Sequence, residues 1–168
     1  ILLMRMDENM DTGPVFSKHS IPIGPDMTAD ELSVALGLLA ARVVEEDLLR
    51  AVAGEIEARP QDGVLATTAP LLRKEDGRVD WARDMRAVHD HVRAMTSLKV
   101  LATARGSEIS TAAPGTVVAA DRHGIEVACG RGTVRLLRAQ LEGKKALSAP
   151  ELVSGRAVSA GMVLGEKV

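Results

Sequence analysis

Met6-Asp7-Glu8-Asn9-Met10-Asp11-Thr12-Gly13-Pro14 places two Met-Asp pairs four residues apart, and the second runs straight into a Thr-Gly-Pro turn. The apolar run Ile1-Leu2-Leu3-Met4-Arg5-Met6 before it reads as a strand, so Asp11 stands at the tip of a tight loop at a strand end. Open parallel α/β sheets carry ligands at such places, because the loops outside the carboxyl ends of the strands vary while the sheet holds them still. The same residues also spell an ordinary acidic turn, in which Asp caps the following peptide groups, and spacing alone leaves both readings open.

Other chemistry-bearing residues are sparse. His89 and His91 fall two apart on a helical pattern and point to different faces, which argues for plain core or surface histidines and against a metal pair. The single cysteine, Cys129, excludes an internal disulfide and any thiolate cluster, favours a reducing compartment, and so suggests a cytoplasmic protein. The first residues are too short an apolar run for a signal segment, and nothing approaches membrane length. With 168 residues, 46% of them apolar, and a net charge of −2, the chain reads as globular, with one large or two small domains. Phe16 and Trp81 are the only aromatics, so the core must be aliphatic. Charge is split: residues 1–57 carry −7 and the remainder +5. A net-positive module concentrates polyanions such as RNA, although a solvated surface accounts for the same numbers.

The elements that must position these residues follow in order. Residues 1–6 and 15–23 read as strands, the second ended by Pro22 and Pro25. Thr28 and Glu31 form a capping box that opens a helix, with Leu32, Leu36, Leu39 and Val43 on one face, continued by Leu48, Val52 and Ile56, and Gly54 at the stop. A hairpin and one amphipathic helix have too little to bury against, so residues 1–57 read as the last portion of a larger α/β domain. The start without Met, inside an apparently buried strand, adds the expectation that sequence upstream is missing. Residues 58–78 lack a period and read as a linker. Residues 79–168 begin with a helix over 82–95, on which Met85, Val88, Val92 and Met95 step three, four, three. Short strands follow at 98–104, 115–120, 125–129 and 133–141, with glycine at the turns. Ser148-Ala149-Pro150-Glu151 caps a short helix, and a last strand is expected at Met162–Leu164. A meander of this kind predicts a small OB-like β-barrel, giving α/β followed by α+β or all-β.

Met-Asp-x-x-Met-Asp-Thr-Gly-Pro resembles the catalytic loop of the methionyl-tRNA formyltransferases, and the likeness extends along the chain. It takes in Thr28-Ala29-Asp30-Glu31-Leu32, Pro60-Gln61-Asp62, Lys74-Glu75-Asp76-Gly77-Arg78-Val79-Asp80-Trp81 and Pro114-Gly115-Thr116-Val117. The most discriminating stretch, Gln140-x-x-Gly143-Lys144-Lys145-x-x-Ser148-Ala149, is similar to the tRNA-modifying members, whereas sugar-nucleotide and folate-hydrolysing relatives share mainly the catalytic loop and domain. The resemblance implies a partial Rossmann-like catalytic domain over 1–57 and a tRNA-binding OB-like domain over 79–168. The implied activity is transfer of a formyl group from 10-formyltetrahydrofolate to methionyl initiator tRNA, by a metal-free monomer.

By the same resemblance, Asp11 is catalytic: it holds a histidine in the useful state and orients a water. The peptide groups of Asp7, Glu8, Asn9 and Met10 would line the pterin pocket, with Asp7 equally readable as a loop cap. Lys144 and Lys145, with Arg131, Arg135 and Arg138, would follow tRNA phosphates; the scarcity of aromatics argues for recognition by shape and charge. Two departures stand out. The family's Asn and His, in a segment ending Ser-Leu-Leu-Pro, have no counterpart here. Further, the helix ending at Met95 passes from Thr96-Ser97 directly to Leu98-Lys99-Val100, where the family has Pro-Trp-Pro and a hairpin. An amino-sugar formyltransferase, a folate hydrolase and a pure RNA-binding module are the alternatives.

Overall fold

The computed structural model describes residues 1–95, 101–141 and 143–165, with backbone alone at Leu101. Two units form, one from Ile1–Pro25 and Asp30–Leu71, the other from Asp26–Ala29 and Leu72–Val168.

In the first unit, β1 (Leu2–Met4) and β2 (Val15–Lys18) pair antiparallel, Leu2 opposite Lys18 and Leu3 opposite Ser17. β2 stops well short of Ile23, and just past its end the His19 N–H donates to Ile1 O at 2.9 Å. Within this chain the first strand is only partly covered: Leu2 is 43% exposed and Leu3 and Met4 are half-buried. No parallel ladder occurs among the described residues of this unit.

α1 (Ala29–Val43) starts directly after Thr28, with Leu32, Leu36 and Leu39 half-buried and Val43 buried, the face that the apolar spacing predicts. Past Val43 that spacing misleads. Val44–Leu48 wind as a π-helical turn before α2 (Leu49–Val52), the inner position passes to Asp47, and Leu48 and Val52 are 40% and 79% exposed. The wider turn adds a residue to the helical cycle and rotates every later side chain. The stop is where glycine places it: the Gly54 and Glu55 N–H groups donate to Ala51 O (3.2 Å) and Arg50 O (2.9 Å), with Gly54 at φ +76°.

Segment 58–78 is less of a free linker than its composition suggests. Arg59 exchanges both backbone hydrogen bonds with Val15 (2.8 and 2.9 Å), and single 3₁₀ turns form at Gly63–Leu65 and Lys74–Gly77.

The second unit is built on an antiparallel sheet. Its strands are β3 (Leu101–Arg105), β4 (Val117–Asp121), β5 (Gly124–Ala128), β6 (Thr133–Gln140) and β7 (Ala146–Ser148), ordered β3-β6-β5-β4 with β7 also on β6. β3 and β4 share no ladder among the described residues, so closure into a barrel is not seen. α3 (Met85–Ala94) begins three residues later than predicted because the Asp84 carboxylate accepts from the Arg86 N–H at 2.8 Å and fixes the cap there. α4 (Ala149–Ser154) is opened by Glu151, whose carboxylate accepts from the Ser148 N–H at 2.7 Å, as the Ser-x-x-Glu spacing predicts. Hydrogen bonds from the Ser148 hydroxyl and amide hold the Glu151 carboxyl below the usual carboxylate range.

Strand alternation puts Ile125, Val127, Val134 and Leu136 inward, where they meet Val88 of α3, Val117 of β4 and Leu152 of α4. The strand expected at Met162–Leu164 reduces to a single bridge, Thr116 with Val163, while β7 has too few residues to show a period. Of the strand expected at 98–104, residues 101–104 fall in β3, while residues 98–100 and the direct step into them from Ser97 lie outside the described residues.

Cys129 is buried in this core, and loss of hydration pushes its thiol up to about 11. Reaction with a disulfide reagent at pH 8 is therefore expected only after unfolding, which titration with and without urea measures.

Candidate functional site

The loop between β1 and β2 is closed at its base by the Arg5 N–H, which donates to Pro14 O at 2.9 Å. Gly13 is buried where the two sides cross. A Cβ there would fall far inside van der Waals contact of the Arg5 carbonyl, so the second residue of Thr-Gly-Pro is dictated by space. Asp7 acts as a bracket: its carboxylate accepts from the Asn9 N–H (3.0 Å) and from the Thr12 hydroxyl (2.8 and 3.0 Å). Asp7 therefore holds the loop together, and the Asn9 amide is engaged within it.

Asp11 stands outside that bracket. It is exposed, it adopts φ +58°, a region that only Gly, Asn and Asp visit readily, and its carboxylate has no hydrogen-bond donor among the described residues. Glu8, Asn9 and Met10 are exposed beside it, with Met10 88% exposed. Asp11 and Thr12 line a cavity of about 610 Å³ that also takes in Phe16, Lys18, Arg59 and Gln61. The pocket has apolar walls and a few polar groups, the usual make-up of a small-molecule site. No group of three or more potential metal ligands occurs among the described residues.

Two features escaped sequence reasoning. Gln61 donates its side-chain amide to both Asp11 O (2.9 Å) and Gly13 O (2.8 Å). Asp47 sits buried with its carboxylate 2.7 Å from His19 Nε2 and 3.7 Å from Arg50. The neighbouring Ser17 hydroxyl and the hydrogen-bonded His19 imidazole hold the Asp47 carboxyl below the usual range. A carboxylate one helical turn past Val43 was the available signal for that cluster.

The basic candidates do not converge. Arg131 lies in the turn before β6 and bounds a cavity of about 260 Å³ with Asp84, Arg86 and Glu108. Lys144 and Lys145 lie beyond the other end of β6, whose eight residues span roughly 25 Å. Arg135 and Arg138 lie between them, both exposed. Their three-residue spacing would put them on opposite faces of a regular strand, but the pairing register shifts there: Thr103 faces Leu136 and Ala102 faces Arg138, leaving Leu137 as a bulge. Arg135 stands opposite Glu126 on β5. Lys144 and Lys145 are exposed and form no ion pair among the described residues. Their turn is held by the motif itself, Gln140 donating to Lys144 O at 2.7 Å and Gly143 taking φ +69°. His89 is a core histidine, its Nδ1 3.0 Å from Thr103 Oγ1 and its Nε2 3.0 Å from Asp26.

Residues 71–157, just over half of the chain, match the family described as "Formyl transferase, C-terminal domain". The chain belongs to the formyltransferase family. It is 55% identical over 98% of its length to the methionyl-tRNA formyltransferase of Sorangium cellulosum, and 39% identical over 99% to that of Citrifermentans bemidjiense. It spans 58% and 56% of those proteins, so it corresponds to part of their length. Among solved structures, HypX from Aquifex aeolicus in complex with tetrahydrofolic acid matches 99% of this formyltransferase chain, and 32% of its own, with TM-score 0.63 at 20% identity. That likeness establishes shared fold.

Proposed function

We propose that this formyltransferase chain supplies one wall of the formyl-transfer site and the tRNA-holding module of an enzyme that formylates methionyl-tRNA from 10-formyltetrahydrofolate. The observation that carries the reading is the locked loop Asp7–Pro14, which presents the Asp11 carboxylate, without a donor among the described residues, at the rim of a cavity with apolar walls and a few polar groups. Identity to proteins named methionyl-tRNA formyltransferase along nearly the whole chain supports the same substrates. Residues 1–57 are the catalytic-domain portion, 58–78 the connection and 79–168 the tRNA-binding, OB-like domain. The enzyme works as a cytoplasmic monomer.

In the reaction, the α-amine attacks the formyl carbon, the tetrahedral adduct's oxyanion takes hydrogen bonds, the amine loses its proton, and tetrahydrofolate departs with N10 reprotonated. Asp11 assists by charge, tuning an imidazole and orienting a water. The backbone of Asp7, Glu8, Asn9 and Met10 borders the pterin, with Glu8 and Met10 the better placed because the Asn9 amide already serves Asp7. The family's Asn and His do not lie in this chain, so the 168-residue chain alone is expected to transfer no formyl group. Fused behind the amino-terminal part of the Sorangium cellulosum relative, it is expected to formylate methionyl-tRNA. Activity of the chain alone, or a folded but inactive fusion, would overturn the assignment.

Lys144 and Lys145 are the strongest phosphate contacts, being exposed and without an ion pair among the described residues, while Arg135 is opposed by Glu126 and Arg138 lies near Glu151. Replacing both lysines with Ala is expected to weaken tRNA binding and reduce the slope of log K against log salt by roughly one to two units. Turnover at saturating tRNA is expected to persist. An unchanged slope in a salt-titrated gel shift would shift the role to Arg131, Arg135 and Arg138.

A further inference from the structure

We propose that Gln61 is a positioning residue for Asp11, a role that rests on the reading of Asp11 as catalytic. Its place follows from strand register. Val15 and Arg59 exchange both backbone hydrogen bonds, so an antiparallel continuation sets Gln61 opposite Gly13. That pair exchanges no backbone bond among the described residues. Instead the Gln61 side-chain amide donates to Gly13 O at 2.8 Å and to Asp11 O at 2.9 Å. One nitrogen thus ties down two carbonyls on either side of Thr12.

The consequence lies in the direction of the Asp11 carboxylate. At φ +58° Asp11 is in a left-handed conformation that Asp visits more readily than most residues but that remains less favoured than negative φ. Asp7 fixes Thr12 from inside the loop through the hydroxyl bond, but nothing in that bracket grips the Asp11 carbonyl. Gln61 is the group that does. With the carbonyl fixed, the peptide plane after Asp11 and the Cα–Cβ vector are fixed too, and the root of the carboxylate keeps one position at the cavity rim. Released, Asp11 can relax to negative φ and carry its carboxylate by an ångström or more, a displacement that costs an enzyme on the order of tenfold to a hundredfold in turnover. The orientation of the amide is set by chemistry, since only the NH₂ end can face two carbonyl oxygens.

Two arms test the proposal. On the chain itself, ¹H–¹⁵N spectra of Gln61→Ala and of the near-isosteric Gln61→Glu, which keeps size and loses the donor, are expected to show shifted or broadened amides for Asp11 to Gly13. The amides of α3 and β5 should stay in place. In the fused enzyme, both substitutions are expected to lower kcat roughly tenfold to a hundredfold with KM for either substrate within about twofold. A double-mutant cycle supplies the readout that a merely structural role would not give: in an Asp11→Asn background, Gln61→Ala should cost less than about twofold more, because the charge it aims is already gone. Full additivity, a loss confined to KM, or unperturbed loop amides would overturn the proposal. If the fusion folds but transfers no formyl group, the reading of the reaction fails, and the spectra decide by themselves whether Gln61 holds the loop.

Discussion

Asp11→Asn is expected to lower the turnover of the fused enzyme by on the order of a hundredfold or more while affinity for tRNA hardly moves. The substitution is unusually clean because the structure separates the carboxylate from the loop's scaffolding. The bracket uses the Asp7 side chain, and Gln61 grips Asp11 through its backbone carbonyl, which Asn retains. Asn also tolerates φ +58° at least as well as Asp. Size, loop closure and backbone path therefore survive, and the negative charge is what disappears. Loss of that charge removes the attraction that would favour a protonated imidazole and weakens acceptance from a water, both of which bear on removing the amine proton. Single-turnover formylation beside a tRNA gel shift measures the two quantities. Near-normal turnover would return Asp11 to the status of a turn residue.

How much of this was legible in the sequence depends on whether a feature is local. Thr12-Gly13-Pro14, the Ser148–Glu151 box and the stop at Gly54 are short-range devices, and residue type alone announced them. α1 was legible for the same reason, since Leu32 to Val43 keep one period. The π turn at Val44–Leu48 has no composition of its own, so the inward turn of Asp47 could not be foreseen from the helical period. Arg59 and Gln61 were hidden differently: flanked by Pro60 and Gly63 they read as linker, because pairing with Val15, far away in sequence, leaves no mark on the pattern of the segment itself. Arg135 and Arg138 show the limit from the strand side. Three apart, they belong to opposite faces of any regular strand, and only the bulge at Leu137 turns both outward.

Gly130→Ala is expected to be the most damaging single substitution in the second unit. The Gly130 N–H donates to both Trp81 O and Arg83 O at 2.9 Å, and an added Cβ would fall almost on the Ala82 carbonyl oxygen. The listener to that clash is backbone on both sides, so no rotamer change relieves it. Segment 81–85 must move away, and it carries the cap of α3: Asp84 bridges Arg131, and the Met85 N–H donates to Arg131 O at 2.9 Å. Displacing it lifts Met85 and Val88, both in the core, from the sheet. Lost packing and lost hydrogen bonds together should destabilise by on the order of 3 kcal/mol, lowering the unfolding midpoint by roughly 10–20 °C. Trp81 is the single tryptophan and packs at the edge of this core, so its fluorescence reports the second unit alone. Gly143→Ala is the control. That glycine has φ +69° with nothing within 4 Å of an added Cβ, so it exposes backbone strain without a clash and should cost about 1 kcal/mol. Equal midpoints for the two variants would mean that the turn at Gly130 and the entry to α3 are not in contact in solution.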